Sequence, residues 1–108
     1  MIITSYFKDD IEKAHNSAKQ IFAKYNDVIY DKCEDLVTEV FSGIANSQYT
    51  FFIIPDGSKE GWGISENCDN ARNELMNWID ENECSCDYIE VLFGGDDDFN
   101  SILKTNHE

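Results

Sequence analysis

The stretch Tyr49-Thr50-Phe51-Phe52-Ile53-Ile54 limits what this chain can fold into more than any other segment. Large apolar residues stand side by side from Phe51 to Ile54, and the run stops abruptly at Pro55-Asp56-Gly57-Ser58. A short apolar run bounded by turn residues reads as a strand. Unbroken apolarity, in place of alternation, is the pattern of a strand covered on both faces. Proline and glycine then end it, because each fixes or permits the backbone reversal of a turn.

Weaker signals surround this strand. Residues 2–7, IITSYF, read as a strand or an apolar arm. Asp9 is placed to open a helix, with Glu12 at the spacing of a capping box. Apolar positions then recur in steps of three or four from Ile11 through Ala18, Phe22, Ile29, Cys33 and Val40. That period predicts two helices, over 9–25 and 27–42, or one bent helix, with Gly43 as the stop. Beyond the turn, Ser65 is a cap for a helix from Glu66 to about Asn82, with Ala71, Leu75, Trp78 and Ile79 as its buried stripe. A second strand is predicted over Asp87–Phe93, with Ile89, Val91 and Phe93 on one face, ended by Gly94-Gly95. Phe99, Ile102 and Leu103 dock the tail as a short turn. The expected fold is α+β, or small α/β, in two layers. Two N-terminal helices precede a strand–helix–strand unit, whose length suits a right-handed parallel crossover. Residues 1–108 form a single acidic globular domain in this reading.

Composition decides between a packed domain and an acidic tail. Apolar residues make up 42% of the chain and aromatic ones 13%, too much for a disordered polyanion. No apolar run approaches the length that spans a bilayer, and the start MIITSYFKDD lacks the basic and long apolar stretches of a signal peptide. The expected location is therefore the cytoplasm, with Cys33, Cys68, Cys84 and Cys86 as reduced thiols.

The net charge is −14, and it is unevenly spread. Residues 1–48 hold eight acids and five lysines, whereas residues 49–108 hold fourteen acids and three cations, Lys59, Arg72 and Lys104. Such a field repels nucleic acid and anionic membrane and attracts basic surfaces. Direct phosphate binding would need clustered Lys and Arg, which are missing.

The motifs that would carry catalysis fail on inspection. Pro55-Asp56 after a strand is half of a metal-nuclease pattern, but no Glu-x-Lys follows it. Asp96-Asp97-Asp98-Phe99-Asn100 begins like a calcium loop, yet Ser101 stands where glycine is needed and His107 where a bidentate Glu is needed. Cys84-Ser85-Cys86 is a single C-x-C and not the paired set of a zinc ribbon. His15 falls on the apolar stripe of the first helix and reads as a packing residue. No cofactor is expected.

Two features point to binding. Trp62, between Gly61 and Gly63 in the turn PDGSKEGW, is either a core plug or an interface anchor, with Lys59 and Glu60 beside it. Asp80, Glu81 and Glu83 crowd the C-terminal end of a helix, where carboxylates oppose the dipole at about 0.3–1 kcal/mol each. Together with Asp96, Asp97 and Asp98 they would lay charge out in the manner of a nucleic-acid backbone. PDGSKEGW and YIEVLFGGDDD also resemble small uncharacterised phage and bacterial acidic proteins with an SKEGW turn. That resemblance brings no known active site, and a small acidic protein of this kind also resembles phage-encoded inhibitors of host defence in general character. The expected function is an inhibitor that occupies the basic nucleic-acid-binding surface of a partner protein, such as a nucleic-acid enzyme or a defence complex. The alternatives are an immunity or antitoxin protein for a basic toxin, and a small metal-binding protein or enzyme with a carboxylate cleft at Asp56, Glu60 and Asp96–Asp98.

Overall fold

The computed structural model describes residues 1–26, 32–44, 48–55, 63–92 and 101–106. Strand β1 (Ile2–Ser5) leads directly into helix α1 (Lys8–Ala23). A 3-10 turn (Cys33–Leu36) precedes β2 (Phe41–Ser42) and β3 (Tyr49–Phe52); then come α2 (Gly63–Glu81), β4 (Asp87–Leu92) and β5 (Ser101–Thr105). The five strands form one sheet in the order β2-β3-β1-β4-β5, and every pairing is antiparallel. The opening segment IITSYF therefore supplies the central strand.

This corrects the expected architecture. The helices are not both N-terminal, and no parallel pair exists among the described strands. β3 and β4 do run the same way, but β1 lies between them, so α2 crosses over an intervening strand. The arrangement is a pair of interleaved, split β-α-β units of the ferredoxin-like kind, extended by β5. The helical period through residues 33–40 was misleading because two different elements share it. Cys33 and Val37 are both buried, but the first lies in the 3-10 turn and the second forms an isolated bridge with Ile53. Val37, Thr38 and Val40 are β-branched and stiff at χ1, which favours extended backbone once a sheet edge is at hand. Residues 27–31 of the expected second helix lie outside the described residues.

Both helices pack on one face of the sheet. α1 contributes Ile11, Ala14, Ala18, Ile21 and Phe22 to the core, and α2 contributes Cys68, Ala71, Leu75, Met76 and Ile79. From the sheet, Ile3, Phe51, Ile53 and Tyr88 meet them. The expected cap of α1 is also corrected: Phe7 occupies the cap position and makes no side-chain cap bond, so Asp9 lies within the first turn. Tail residues 101–105 pair as a strand, not a turn, and the extra residue Leu103 bulges between the Glu90–Lys104 and Val91–Ile102 pairs. Asn106 fixes that edge, accepting from the Tyr88 N–H at 2.8 Å and donating to the Cys86 carbonyl at 2.9 Å. Among the described residues no helix is long and apolar enough to cross a membrane.

β3 departs from its own pattern. Phe51 is fully buried against the helices, but its neighbours Phe52 and Ile54 are 37% and 44% exposed. The expectation of cover on both faces fails here, since the helices lie on one side. On β4 likewise, the alternating Ile89 and Val91 sit on the open face, while Cys86 and Tyr88 point to the core.

Candidate functional site

The C-terminal end of β1, the N-terminus of α1, the C-terminus of α2 and the start of β4 meet at one pole of the domain. Ser5, buried at the end of β1, ties them together. Its hydroxyl donates to the Ser85 carbonyl at 2.5 Å and accepts from the Phe7 N–H at 3.0 Å. The Cys84 thiol donates to the Asp10 carbonyl at 3.3 Å, a second link between the α2–β4 loop and α1. The two residues in the tight β1–α1 connection, Tyr6 and Phe7, have no room inward and stand 64% and 60% exposed.

Carboxylates gather at the same pole. Asp9 and Asp10 lie in the first turn of α1, where they suit the positive end of the helix dipole, and Glu12 follows in the next turn. Asp80, Glu81 and Glu83 come from the end of α2, where they oppose it, and no basic residue occupies the last turn. Asp87 opens β4, paired with Thr4. Lys8 and Lys13 are at the same pole, lining with Tyr6, Phe7, Asp9, Asp10 and Tyr49 a wide, open recess of about 530 Å³. Asp80, Glu81, Glu83 and Asp87 are all exposed and make no ion pair among the described residues.

Three other acids of the C-terminal half, Asp69, Glu74 and Glu90, do have cation partners. Arg72 bonds both Asp69, one turn away, and Glu90 of β4, the latter at 3.1 Å with both side chains largely buried. Lys24 meets Glu74 at 2.5 Å. Asp69 and Glu74 of α2 and Glu90 of β4 are thus matched, whereas Asp80, Glu81 and Glu83 at the end of α2 are not matched among the described residues.

The backbone at that end is strained. α2 closes with the Cys84 N–H bonded to the Ile79 carbonyl at 3.3 Å, the six-to-one bond of a Schellman cap. The residue this motif sends into the left-handed region is Glu83, with φ 49°, the one described non-glycine residue at positive φ. Glycine normally fills that position because a Cβ there is crowded. Asp80 is held in place by the Tyr88 hydroxyl, which donates to Oδ2 at 2.8 Å. Burial, and then the hydrogen bond and charge of Asp80, push Tyr88 up to about 12.

The cysteine thiols of the pole are not set up as nucleophiles. Cys84 and Cys86 lie 3.5 Å apart, and burial raises both thiols, which keeps them protonated and poorly nucleophilic. Cys33 and Cys68 form a separate buried pair with sulfurs 3.7 Å apart. No group of three or more His, Cys, Asp or Glu able to hold a metal occurs among the described residues. His15 lies edge-on to Phe51 with centroids 5.2 Å apart, and its Nε2 is 2.9 Å from the Thr38 carbonyl.

The structure therefore brings together Asp80, Glu81 and Glu83 of the residues singled out from sequence. Lys59, Glu60, Trp62, Asp96, Asp97 and Asp98, and Asp56 of the alternative cleft, lie outside the described residues. Sequence reasoning missed Tyr6 and Phe7, and it placed Asp87 just beyond the acids at the end of the helix without counting it among the binding residues. The available signal was two aromatic residues caught between the end of a strand and the acidic start of a helix. No family model, no curated protein and no solved structure matches this chain, so function is argued from the pole itself.

Proposed function

We propose that the chain is a binding module that occupies the basic, nucleic-acid-binding surface of a partner protein and thereby inhibits it. One observation carries this reading: four exposed carboxylates without cation partners among the described residues, Asp80, Glu81, Glu83 and Asp87, share a pole with the exposed rings of Tyr6 and Phe7. Aromatic anchors within a charged rim are the usual anatomy of a specific interface. The rim supplies negative potential for steering a cationic surface, and the rings supply area that excludes water. The acids at the end of α2 are held there against local preference, which is where functional demands tend to override stability.

The test is a pull-down from the native host with the intact chain as bait. A basic protein should be retained at low salt, released at high salt, and released again by added duplex DNA. The variant Asp80→Asn/Glu81→Gln/Glu83→Gln should retain far less of it. Retention that ignores both the DNA and the triple substitution would sink the reading.

A further inference from the structure

We propose that the open face of the sheet docks on the same face of a second copy of this chain, forming a two-fold pair with the helices outermost. The first support is the sequence pattern of the strands themselves. Ile2-Ile3 in β1 and Phe51 through Ile54 around β3 are consecutive apolar residues, the pattern of strands covered on both sides. The helices cover one side. Residues paired across strands share a face, so Ile2, Phe52 and Ile89 form one row on the open side. Phe41 joins it next to Phe52, ring centroids 6.3 Å apart, and Ile102 extends it opposite Val91.

The second support is how the polar groups of this face are satisfied. Thr50 Oγ1 donates to Thr4 Oγ1 at 3.4 Å, and Thr105 Oγ1 donates to the Tyr88 carbonyl at 2.7 Å. These hydroxyls already have partners inside the protomer, so covering the face leaves no hydroxyl stranded.

Charge selects the occupant. Among the described, paired strand residues of this face, Asp87 is the single charged side chain, at its edge, in a chain of net charge −14. A basic partner finds almost nothing here to recognise. Two copies of the chain repel one another everywhere else, and this face is where they meet without like charges opposed. A self-complementary apolar patch joined about a two-fold axis is the commonest way for one chain to pair. Five strands spaced about 4.8 Å apart put about 19 Å between the outer two, and the longest, β4, has six residues, about 20 Å. The face is therefore smaller than the roughly 800 Å² per partner of a standard interface, so the pair is weak and concentration-dependent.

Sedimentation velocity of the intact chain over a concentration series tests this. Dimer should grow with concentration and grow further as salt rises, since screening removes repulsion between like-charged copies. Phe52→Glu should raise the dimer dissociation constant at least about tenfold with the circular dichroism unchanged. Ile102→Glu, at a side chain 62% exposed on the edge strand, should do the same, and it decides the matter if Phe52→Glu fails to fold. A chain that stays monomeric to about 1 mM at high salt overturns the proposal. So does an association that is indifferent to both folded variants, or one that salt dissolves. A monomer whose open face is shielded from hydrogen exchange only by a different bound protein would assign the face to that protein instead.

Discussion

The acidic pole and the open sheet face are built on opposite terms. At the pole, Asp80, Glu81, Glu83 and Asp87 have no cation partner among the described residues, and Glu83 holds a backbone conformation that disfavours any side chain. On the open face the threonine hydroxyls are bonded and one charged group is present among the paired residues. The first surface is expensive to keep and the second is uncovered but internally settled. The lesson is that charge and apolar area have been separated in this molecule, so salt should act on them with opposite signs. A complex made through the pole weakens as salt rises, and an association made through the sheet strengthens.

The largest effect expected tests whether the two sides of the sheet differ as described. Leu75, wholly buried on the helix side, should cost about 2–5 kcal/mol when changed to Ala, through lost transfer energy and the cavity left behind. Phe52→Ala, on the open side, should cost about 1–2 kcal/mol in dilute monomer, since that side chain is already partly in water. Urea denaturation at low protein concentration measures both. Equal costs would erase the distinction between covered and open faces.

The next effect belongs to the junction of core and pole. Tyr88 titrates near 10 when free and at about 12 in the fold, so the folded chain holds its proton more tightly than the unfolded one. The stability contributed by that difference is complete below pH 10 and is lost as pH rises from 10 through 12. Two units correspond to at most about 3 kcal/mol. Denaturation midpoints measured from pH 8 to 12 should fall across that window, and Tyr88→Phe should flatten the fall. A wild-type profile level through pH 12 would show that the hydroxyl is not held as described.

Third comes the pole itself. Replacing Asp80, Glu81 and Glu83 by their amides removes three charges, each worth about 0.5 kcal/mol to a salt-sensitive complex, so affinity should fall about tenfold. The same change relieves the conflict with the dipole of α2 and should leave the fold as stable or slightly more so. Titration calorimetry against the captured partner, beside urea denaturation of the free chain, reads the two effects separately.

How far the sequence foretold this molecule depends on which kind of signal each element carries. α2 was legible because Ala71, Leu75 and Ile79 repeat on one stripe, and β3 because its apolar run ends at a prolyl turn. Residues 33–40 were misread because spacing of three and four does not distinguish a 3-10 turn followed by an edge strand from a helix. Only pairing with residues far away in sequence, Val37 with Ile53, separates them. The sheet order was invisible for the same reason, since β1 enters between β3 and β4 through contacts some fifty and eighty residues distant. At the site, clustered acids in one helix end could be seen directly. That Tyr6 and Phe7 stand beside them follows from Ser5 bonding to Ser85, a contact without any local signature.

Glu83→Gly gives the smallest effect and the sharpest division between stability and function. Glycine enters the left-handed region without the Cβ penalty, so the Schellman cap of α2 should relax and the free chain should gain about 1 kcal/mol or less. The gain is partly offset because glycine also loosens the unfolded chain. The bond from Cys84 N–H to the Ile79 carbonyl is kept, so the geometry of Asp80 and Tyr88 is undisturbed. Any weakening of the pole's complex in this variant therefore reports the lost carboxylate alone. A chain that becomes more stable and binds less tightly has kept Glu83 at a cost to its own fold. A chain that becomes more stable and binds as before holds Glu83 for neither purpose, and the interface would have to be redrawn around Asp80, Glu81 and Asp87.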